Sequence, residues 1–439
     1  MKKSDLTKGG ILRGFILFAL PLFWGSLFQQ LYGTVDLMFV GNFCGKNDAA
    51  AVGASSILVT CLIGLSTGIS VGTGVIAAQF FGTGEKVNVK KCIQNALLLG
   101  TAGGILLTII GLLISKYALI WLNTPENIMD HALIYIRIYL LSILSMVLYN
   151  MSSGILRAVG DSKTPFCILA AGGILNVCMD ALFVVCLKWG VAGAAWATLI
   201  SQTFTAVTAT GILIYREHIL DEKWLIDSAL ILNILKVGFP LGIQSMIITL
   251  SNMIVQFHIN GFGEDAIAAF AVYFKAENLI YLPIMAFGQA MVTFTGQNVG
   301  AAKYDRIRVG AVKCSIFSAA SIAVLAAFAL LFDRMILGVF CNDEAVIREG
   351  LKIIHISFPL YFLYAFLEIF GGIVKGMGKT MQSMIIIIIN LCVIRVTLLG
   401  IMAEKIHTIE SMTAVYPVTW ALAAASFMLY TIYLLKSRN

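Results

Sequence analysis

Four acidic side chains interrupt the long apolar runs of this chain: Asp36, Asp180, Glu277 and Glu368. A carboxylate at the centre of a bilayer costs about 2.5–3.5 kcal/mol on insertion scales, so an acid kept there marks an ion or substrate pathway by default. If the runs are helices rising 1.5 Å per residue, Asp36 lies roughly 6 Å and Asp180 roughly 10 Å below the same membrane face. Thr198 reaches a similar depth, Asn176 precedes Asp180 by one helical turn, and Tyr135 and Tyr139 come to comparable levels. Two acids, hydroxyls and an amide at one depth can share a proton, because crowded like charges in a low-dielectric medium do not both ionise. The same oxygens suit Na⁺, with Asp36 and Asp180 as its charged ligands. The plainer role for Asp180 is a hydrogen bond to a neighbouring helix. Glu277 and Glu368 stand deep in later runs, and Arg395 is placed to neutralise either. These three are expected as a structural ion pair or as a second substrate or ion site. Pro21, inside the first run, has no N–H to donate and should bend or loosen that helix.

The elements that carry these residues follow from composition. Of 439 residues, 59% are hydrophobic and only 12% charged, about half the charged share of a globular chain. No soluble core absorbs that much apolar surface, so lipid is the solvent for most of the chain. A spanning helix needs roughly 20 apolar residues. Apolar runs between polar breaks predict twelve: 15–40, 50–80, 93–114, 131–153, 166–187, 191–214, 237–259, 266–294, 311–332, 352–373, 380–402 and 412–435. The first is too long for the core of a cleaved signal and reads as a span. Twenty of the 30 Lys and Arg, from Lys2 and Lys3 through Lys223 to Arg438, fall on one set of alternate loops and seven on the other. That bias predicts both termini in the cytoplasm. The net charge of +7 therefore records orientation and calls for no nucleic acid.

The chain also repeats at a shift of about 218 residues: Pro21-Leu against Pro240-Leu, Asp48-Ala against Asp265-Ala, Gly160-Asp-Ser-Lys163-Thr against Gly378-Lys379-Thr380. Six helices per half return the chain to the starting side, so the halves are expected to be related by an axis along the membrane normal. The expectation is an all-α polytopic protein with an N-terminal lobe 1–214, a cytoplasmic linker 215–236 and a C-terminal lobe 237–439. The ionisable groups do not follow the repeat: Val255 stands opposite Asp36, and Asn150 opposite Glu368.

Enzyme chemistry finds little support. Gly72-x-Gly74 lies inside an apolar run with no strand before it, which suits close helix packing better than a dinucleotide. Gly378-Lys379-Thr380 lacks the earlier glycine of a phosphate loop, since Ile373 stands there. Nine scattered cysteines and five unclustered histidines read as packing residues rather than metal ligands.

With Pro21 and Asp36 in the first run, Leu156-Arg-Ala-Val-Gly160-Asp161-Ser-Lys-Thr-Pro165, Asn176-x-x-x-Asp180 and Gly190-Val-Ala-Gly193-Ala-Ala-Trp-Ala-Thr198-x-x-Ser201, the chain resembles multidrug and toxic compound extrusion (MATE) transporters over nearly its whole length. The resemblance implies exchange of H⁺ or Na⁺ for organic, often cationic and aromatic compounds, with no other cofactor, in a monomer of the plasma membrane (the inner membrane of a two-membrane cell). It implies that Asp36, Asn176, Asp180 and Thr198 form the titrating network, with Tyr135 and Asn150 in support; Tyr139 joins them by depth alone. The Na⁺-binding pattern with an acid on the seventh helix is missing, since 246–260 contains none, which favours the DinF-like branch. The competing expectations are a flippase of lipid-linked precursors in the same wider superfamily, a channel and a membrane-bound enzyme. Acidic rather than basic groups in the first half weigh against the flippase. Two candidate acids suggest two protons per cycle and voltage-sensitive export of a monovalent cation.

Overall fold

A computed structural model describes residues 4–219, 224–406 and 408–437. Lys2, Lys3, Lys223 and Arg438 of the charge count lie outside the described residues, as do Asp221 and Glu222 of the linker. The described residues are mostly helical, with short turns between the helices and no strand among them. The helices are α1 (Ile11–Phe39), α2 (Lys46–Thr83), α3 (Lys86–Trp121), α4 (Glu126–Leu141), α5 (Ile143–Ala158), α6 (Lys163–Asp180), α7 (Gly190–Arg216) and α8 (Ser228–Asn260). They continue with α9 (Glu264–Gly300), α10 (Tyr304–Leu331), α11 (Asp333–Gly338), α12 (Glu344–Ser357), α13 (Phe362–Gly376), α14 (Thr380–Ile387), α15 (Arg395–Lys405) and α16 (Ile409–Lys436).

Among the described residues, ten stretches are long and apolar enough to span a bilayer unaided. The other two predicted spans are bent pairs: α4 with α5, bent by 41°, and Glu344–Leu360 with α13, bent by 49°. Counting each pair once restores twelve. The breaks fall at Ser142 and Tyr361, which correspond to within one residue, since a shift of 218 sets Ser142 opposite Leu360. Turns repeat as well. Gly45 (φ 88°) answers Gly263 (φ 93°), and Gly160 (φ 88°) answers Gly378 (φ 76°); a left-handed backbone favours glycine in both copies.

Two compact units emerge, and they do not divide at the linker. One comprises residues 1–5 and Trp24–Ile243, the other Leu6–Phe23 and 244–439. The boundaries thus fall inside α1 and α8, two residues after Pro21 and three after Pro240, rather than at 214/215 and 236/237. Side-chain size explains the difference. In the first unit the start of α8 lies backbone to backbone against α2: a Cβ added at Gly68 would sit 2.1 Å from the Gly242 nitrogen, and one at Gly72 would sit 2.4 Å from Gly238. Small residues let helices approach this closely in lipid, the use expected for Gly72. Gly74 packs likewise on the carbonyl of Gly154. In the second unit Phe15 of α1 stacks on Phe287 at 5.8 Å, and the Leu6 N–H donates to Gln297 at 2.9 Å. α1 is one continuous helix through Pro21.

Candidate ion and substrate sites

The first unit gathers the predicted N-terminal network. Asp36 and Asp180 each sit beside a wide turn, at Val40–Cys44 and Ala181–Cys186, where the backbone bonds five residues apart; such turns recur at functional sites. Val40 and Val184 from those turns pack in one cluster with Tyr135, Tyr139, Val191 and Ala194. Asp180 and Asn176 are fully buried, Thr198, Tyr135 and Tyr139 nearly so, and Asp36 is half-buried.

The carboxyls of Asp36 and Asp180 face one another within hydrogen-bonding reach. A carboxylate only accepts, so the contact becomes a hydrogen bond when one of the two carries a proton. Among the described residues, neither oxygen of Asp180 has another partner, nor has Oδ1 of Asp36, nor either polar atom of the Asn176 side chain. Four buried oxygens and one amide nitrogen on two helices thus stand without a hydrogen-bond partner among the described residues. Tyr135 lies within electrostatic reach of both aspartates and of Tyr139.

The backbone carbonyl of Asn150 accepts from the Ser70 hydroxyl in the seam between α2 and α5. Asp48, quoted above only as a repeat marker, is a third acid near the pair. It is buried, meets the Nδ1 of His131 on α4, and accepts the Val191 N–H at 3.1 Å. Cys44 lies within electrostatic reach of Asp48, Asp180 and Asp36 together. The one sequence cue was Gly190: its φ is 59°, and a Cβ there would lie 2.9 Å from an Asp48 oxygen.

In the second unit the three expected residues separate. Glu368 faces Lys375 at 3.8 Å. Among the described residues no ion pair joins Arg395 to Glu368 or Glu277. Glu277 instead accepts from the Tyr361 hydroxyl. Arg395 is buried, donates from Nε and Nη2 to the single Thr419 hydroxyl at 3.2 and 3.1 Å, and lies over the Tyr416 ring at 4.9 Å. Tyr416 and Trp420 lie one turn apart on α16, and the helix break at Tyr361 brings a third ring to them from a distant part of the chain.

Outside the spans, Asp161 closes the turn before α6. It accepts the Thr164 N–H at 3.0 Å and hydroxyl at 2.6 Å, and Arg216 donates to it at 2.6 Å. Burial pushes its carboxyl up, but the Thr164 and Arg216 contacts outweigh that and hold it below the usual carboxylate range.

Twelve candidate spans, an internal six-helix repeat, and acids buried within the spans define a multi-pass membrane transporter built from repeats, a class with its sites at interrupted helices. The MatE family model matches the chain twice, over residues 21–182 and 240–399, once in each half. The chain belongs to the MatE family, whose members are transporters and not enzymes. Among its relatives, the "Probable multidrug resistance protein YpnP" of Bacillus subtilis (strain 168) is 29% identical over 90% of this chain and 89% of its own length. The "Multidrug export protein MepA" of Staphylococcus saprophyticus subsp. saprophyticus (strain ATCC 15305 / DSM 20229 / NCIMB 8711 / NCTC 7292 / S-41) is 20% identical over 95% of this chain and 96% of its own. A crystal structure of MATE in the straight conformation shares the fold with a TM-score of 0.91 at 21% identity, covering 100% of this chain and 99% of the other. A MOP superfamily transporter from Pyrococcus furiosus Vc1 (DSM3638), described as having a binding pocket of reverse polarity that suggests a different function, does so at 0.90 and 21%, over 100% and 99%.

Proposed function

We propose that this protein is a secondary exporter that lets H⁺ run inward to drive organic, cationic and aromatic compounds out of the cell by alternating access. Asp36 and Asp180 carry the coupling proton, Asn176 and Thr198 complete their shell, and Tyr135 and Tyr139 wall it off. The observation behind this is the facing pair of aspartates whose buried oxygens have no other partner. The names of the relatives, multidrug resistance and export proteins, support the direction and the breadth of substrate. The acid-free stretch 246–260 favours the DinF-like branch. The loop charge bias supports cytoplasmic termini in the plasma membrane, and the two repeats within one chain suit a working monomer without a resident cofactor. Na⁺ is the second reading for the coupling ion, since the unpartnered Asn176 and aspartate oxygens also suit a hard cation.

Efflux of a fluorescent cation, measured in inside-out vesicles with pH and Na⁺ gradients imposed separately, tests both. The pH gradient alone should drive transport, Asp36→Asn at normal abundance should abolish it, and Asp180→Asn should be nearly as damaging. The double variant should be little worse than either single, because the two acids titrate as a pair. Wild-type rates in Asp36→Asn would sink this assignment, and dependence on Na⁺ alone would transfer it to the cation.

A further inference from the structure

The exporter reading leaves the third acid of the first unit without a task. Asp48 stands in the first turn of α2 and is buried. Its two oxygens serve different helices. One meets Nδ1 of His131 on α4, and the other accepts the Val191 N–H at 3.1 Å in the first turn of α7. That N–H is one of the donors a helix start leaves unpaired, and a helix start attracts negative charge. Gly190, at φ 59°, keeps the start of α7 bare enough for the approach, since a Cβ there would lie 2.9 Å from the carboxylate. The two partners differ in exposure: the His131 side chain is 48% exposed, that of Asp48 only 8%.

Both anchor points of Asp48 lead to the coupling acids. Asp48 itself comes four residues after the wide turn Val40–Cys44 beside Asp36, across Gly45 at φ 88°. Val191 comes five residues after the wide turn Ala181–Cys186 beside Asp180. The intervening Trp189 is locked onto that turn: its ring stacks on Phe183 at 4.9 Å, and its N–H donates to the Phe183 carbonyl at 2.9 Å. On α4, His131 precedes Tyr135 and Tyr139 by one and two turns, so the three share a helix face. The two tyrosines pack in one cluster with Val40 and Val184 of the wide turns and with Val191. One carboxylate therefore ties together three helices and both of the turns that present Asp36 and Asp180.

We propose that His131, Asp48 and the start of α7 form a clasp that positions Asp36 against Asp180, and that protonation of His131 tightens it. The clasp rests on the exporter reading above and adds a regulator to the same site. With His131 neutral, its Nδ1–H gives Asp48 an ordinary hydrogen bond. With His131 charged, the contact becomes an ion pair, roughly twice as strong. The loop charge bias assigns this end of α2, α4 and α7 to the outside, the side from which the driving proton enters. An acidic outer medium thus holds the two wide turns together while the pair takes up its proton. The other titratable groups at this end are Cys44, within electrostatic reach of Asp48, Asp36 and Asp180, and Tyr135, within reach of the coupling acids. Lys46 on α2, Lys116 and Tyr117 on α3, Glu126 and Asp130 on α4 and Lys188 before α7 complete the set. None of these charged groups forms an ion pair with His131 or Asp48 among the described residues.

The test uses Cys44, half-buried at the end of the first wide turn, as a reporter of how tightly the turns are held. Purified full-length protein in detergent is treated with N-ethylmaleimide at pH 8 and at pH 5, on either side of the ordinary histidine range, and the Cys44 peptide is quantified by mass spectrometry. His131→Gln keeps a hydrogen-bond donor but cannot titrate. The rate in this variant is divided by the wild-type rate at the same pH, so the titration of the thiol and of the coupling acids cancels. That ratio should be near one at pH 8 and rise to roughly fivefold at pH 5, the step from a neutral to a charge-assisted hydrogen bond. In an Asp48→Asn background the same exchange at position 131 should change nothing at either pH. A ratio equal at both pH values overturns the clasp, and so does a pH step that survives in Asp48→Asn, since His131 would then act without its partner. Should Asp48→Asn fail to purify as a folded protein, His131→Arg takes its place: its fixed charge should slow labelling at pH 8, and a wild-type rate there overturns the clasp. No gradient and no substrate enter this measurement. Loss of proton-driven efflux in vesicles with the labelling step intact therefore refutes the exporter mechanism alone, and flat labelling with efflux intact refutes the clasp alone.

Discussion

Export of a monovalent cation should be insensitive to membrane voltage, and the contact between Asp36 and Asp180 is the reason. Two acids at separate places would each take a proton, and the second proton would move net charge. Facing acids behave differently. Two carboxylates about 4 Å apart repel by about 4 kcal/mol at an effective dielectric near 20, roughly a thousandfold penalty on the doubly ionised state. On that penalty the pair keeps one proton, and only one more is exchanged in each cycle. One proton in for one monovalent cation out moves no charge. The pH gradient then supplies about 1.36 kcal/mol per unit, or tenfold accumulation, and the potential nothing. A second proton would add about 2.3 kcal/mol per 100 mV, close to a further fiftyfold by the same conversion. Proteoliposomes with a potassium diffusion potential and no pH or Na⁺ gradient measure the difference directly. No steady accumulation of a fluorescent monocation is expected at any clamped voltage, with Asp36→Asn as the baseline. Accumulation that climbs with voltage toward that fiftyfold would refute the shared proton and restore the two-proton stoichiometry that counting acids suggests.

Pro21→Ala should slow turnover more than it weakens substrate binding, because α1 passes from one unit to the other just beyond this proline; comparing steady-state flux with dye affinity checks this, and weakened binding at unchanged turnover would make Pro21 a cavity-shaping residue instead. Gly238→Val should lower the melting temperature of the purified protein and cost on the order of 1–3 kcal/mol from overpacking, since a Cβ at Gly238 would meet the Ile69 backbone at 2.7 Å, while the same change at Gly211, which has open space, should cost far less. Asp161 has a folded-state pKa below its unfolded one, so its contribution to stability is present above the unfolded value and lost as pH falls through the folded one. The melting temperature should therefore drop on acidification below about pH 4, and Asp161→Asn should be less stable at neutral pH with a flatter acid limb; an unchanged acid limb would remove Asp161 from the account.

Hydropathy determined the membrane class and the spans, because a bilayer tolerates so few structures that composition and run length nearly settle the matter, and matched residues such as Pro21 and Pro240 revealed the repeat. The aspartates were legible for the same reason: a charge in an apolar run is too costly to be incidental. That Asn176 and Asp180 share a helix face followed from their spacing of four. Three-dimensional packing decided the rest. Depth along a helix says nothing about which way the helix faces, so it did not reveal that Asp48, a repeat marker in the sequence, lies within reach of Cys44 together with Asp36 and Asp180. The divisions between the units lie within α1 and α8 and not at the polar linker, because glycine-to-glycine contacts between residues far apart in sequence outweigh chain continuity. Arg395 had two candidate acids in the sequence and pairs with neither: Glu368 lies against Lys375, and Glu277 against a tyrosine at a helix break. Charge, length and period are local properties that a sequence carries on its face, whereas the partner of a buried charge depends on the rotation of every helix around it.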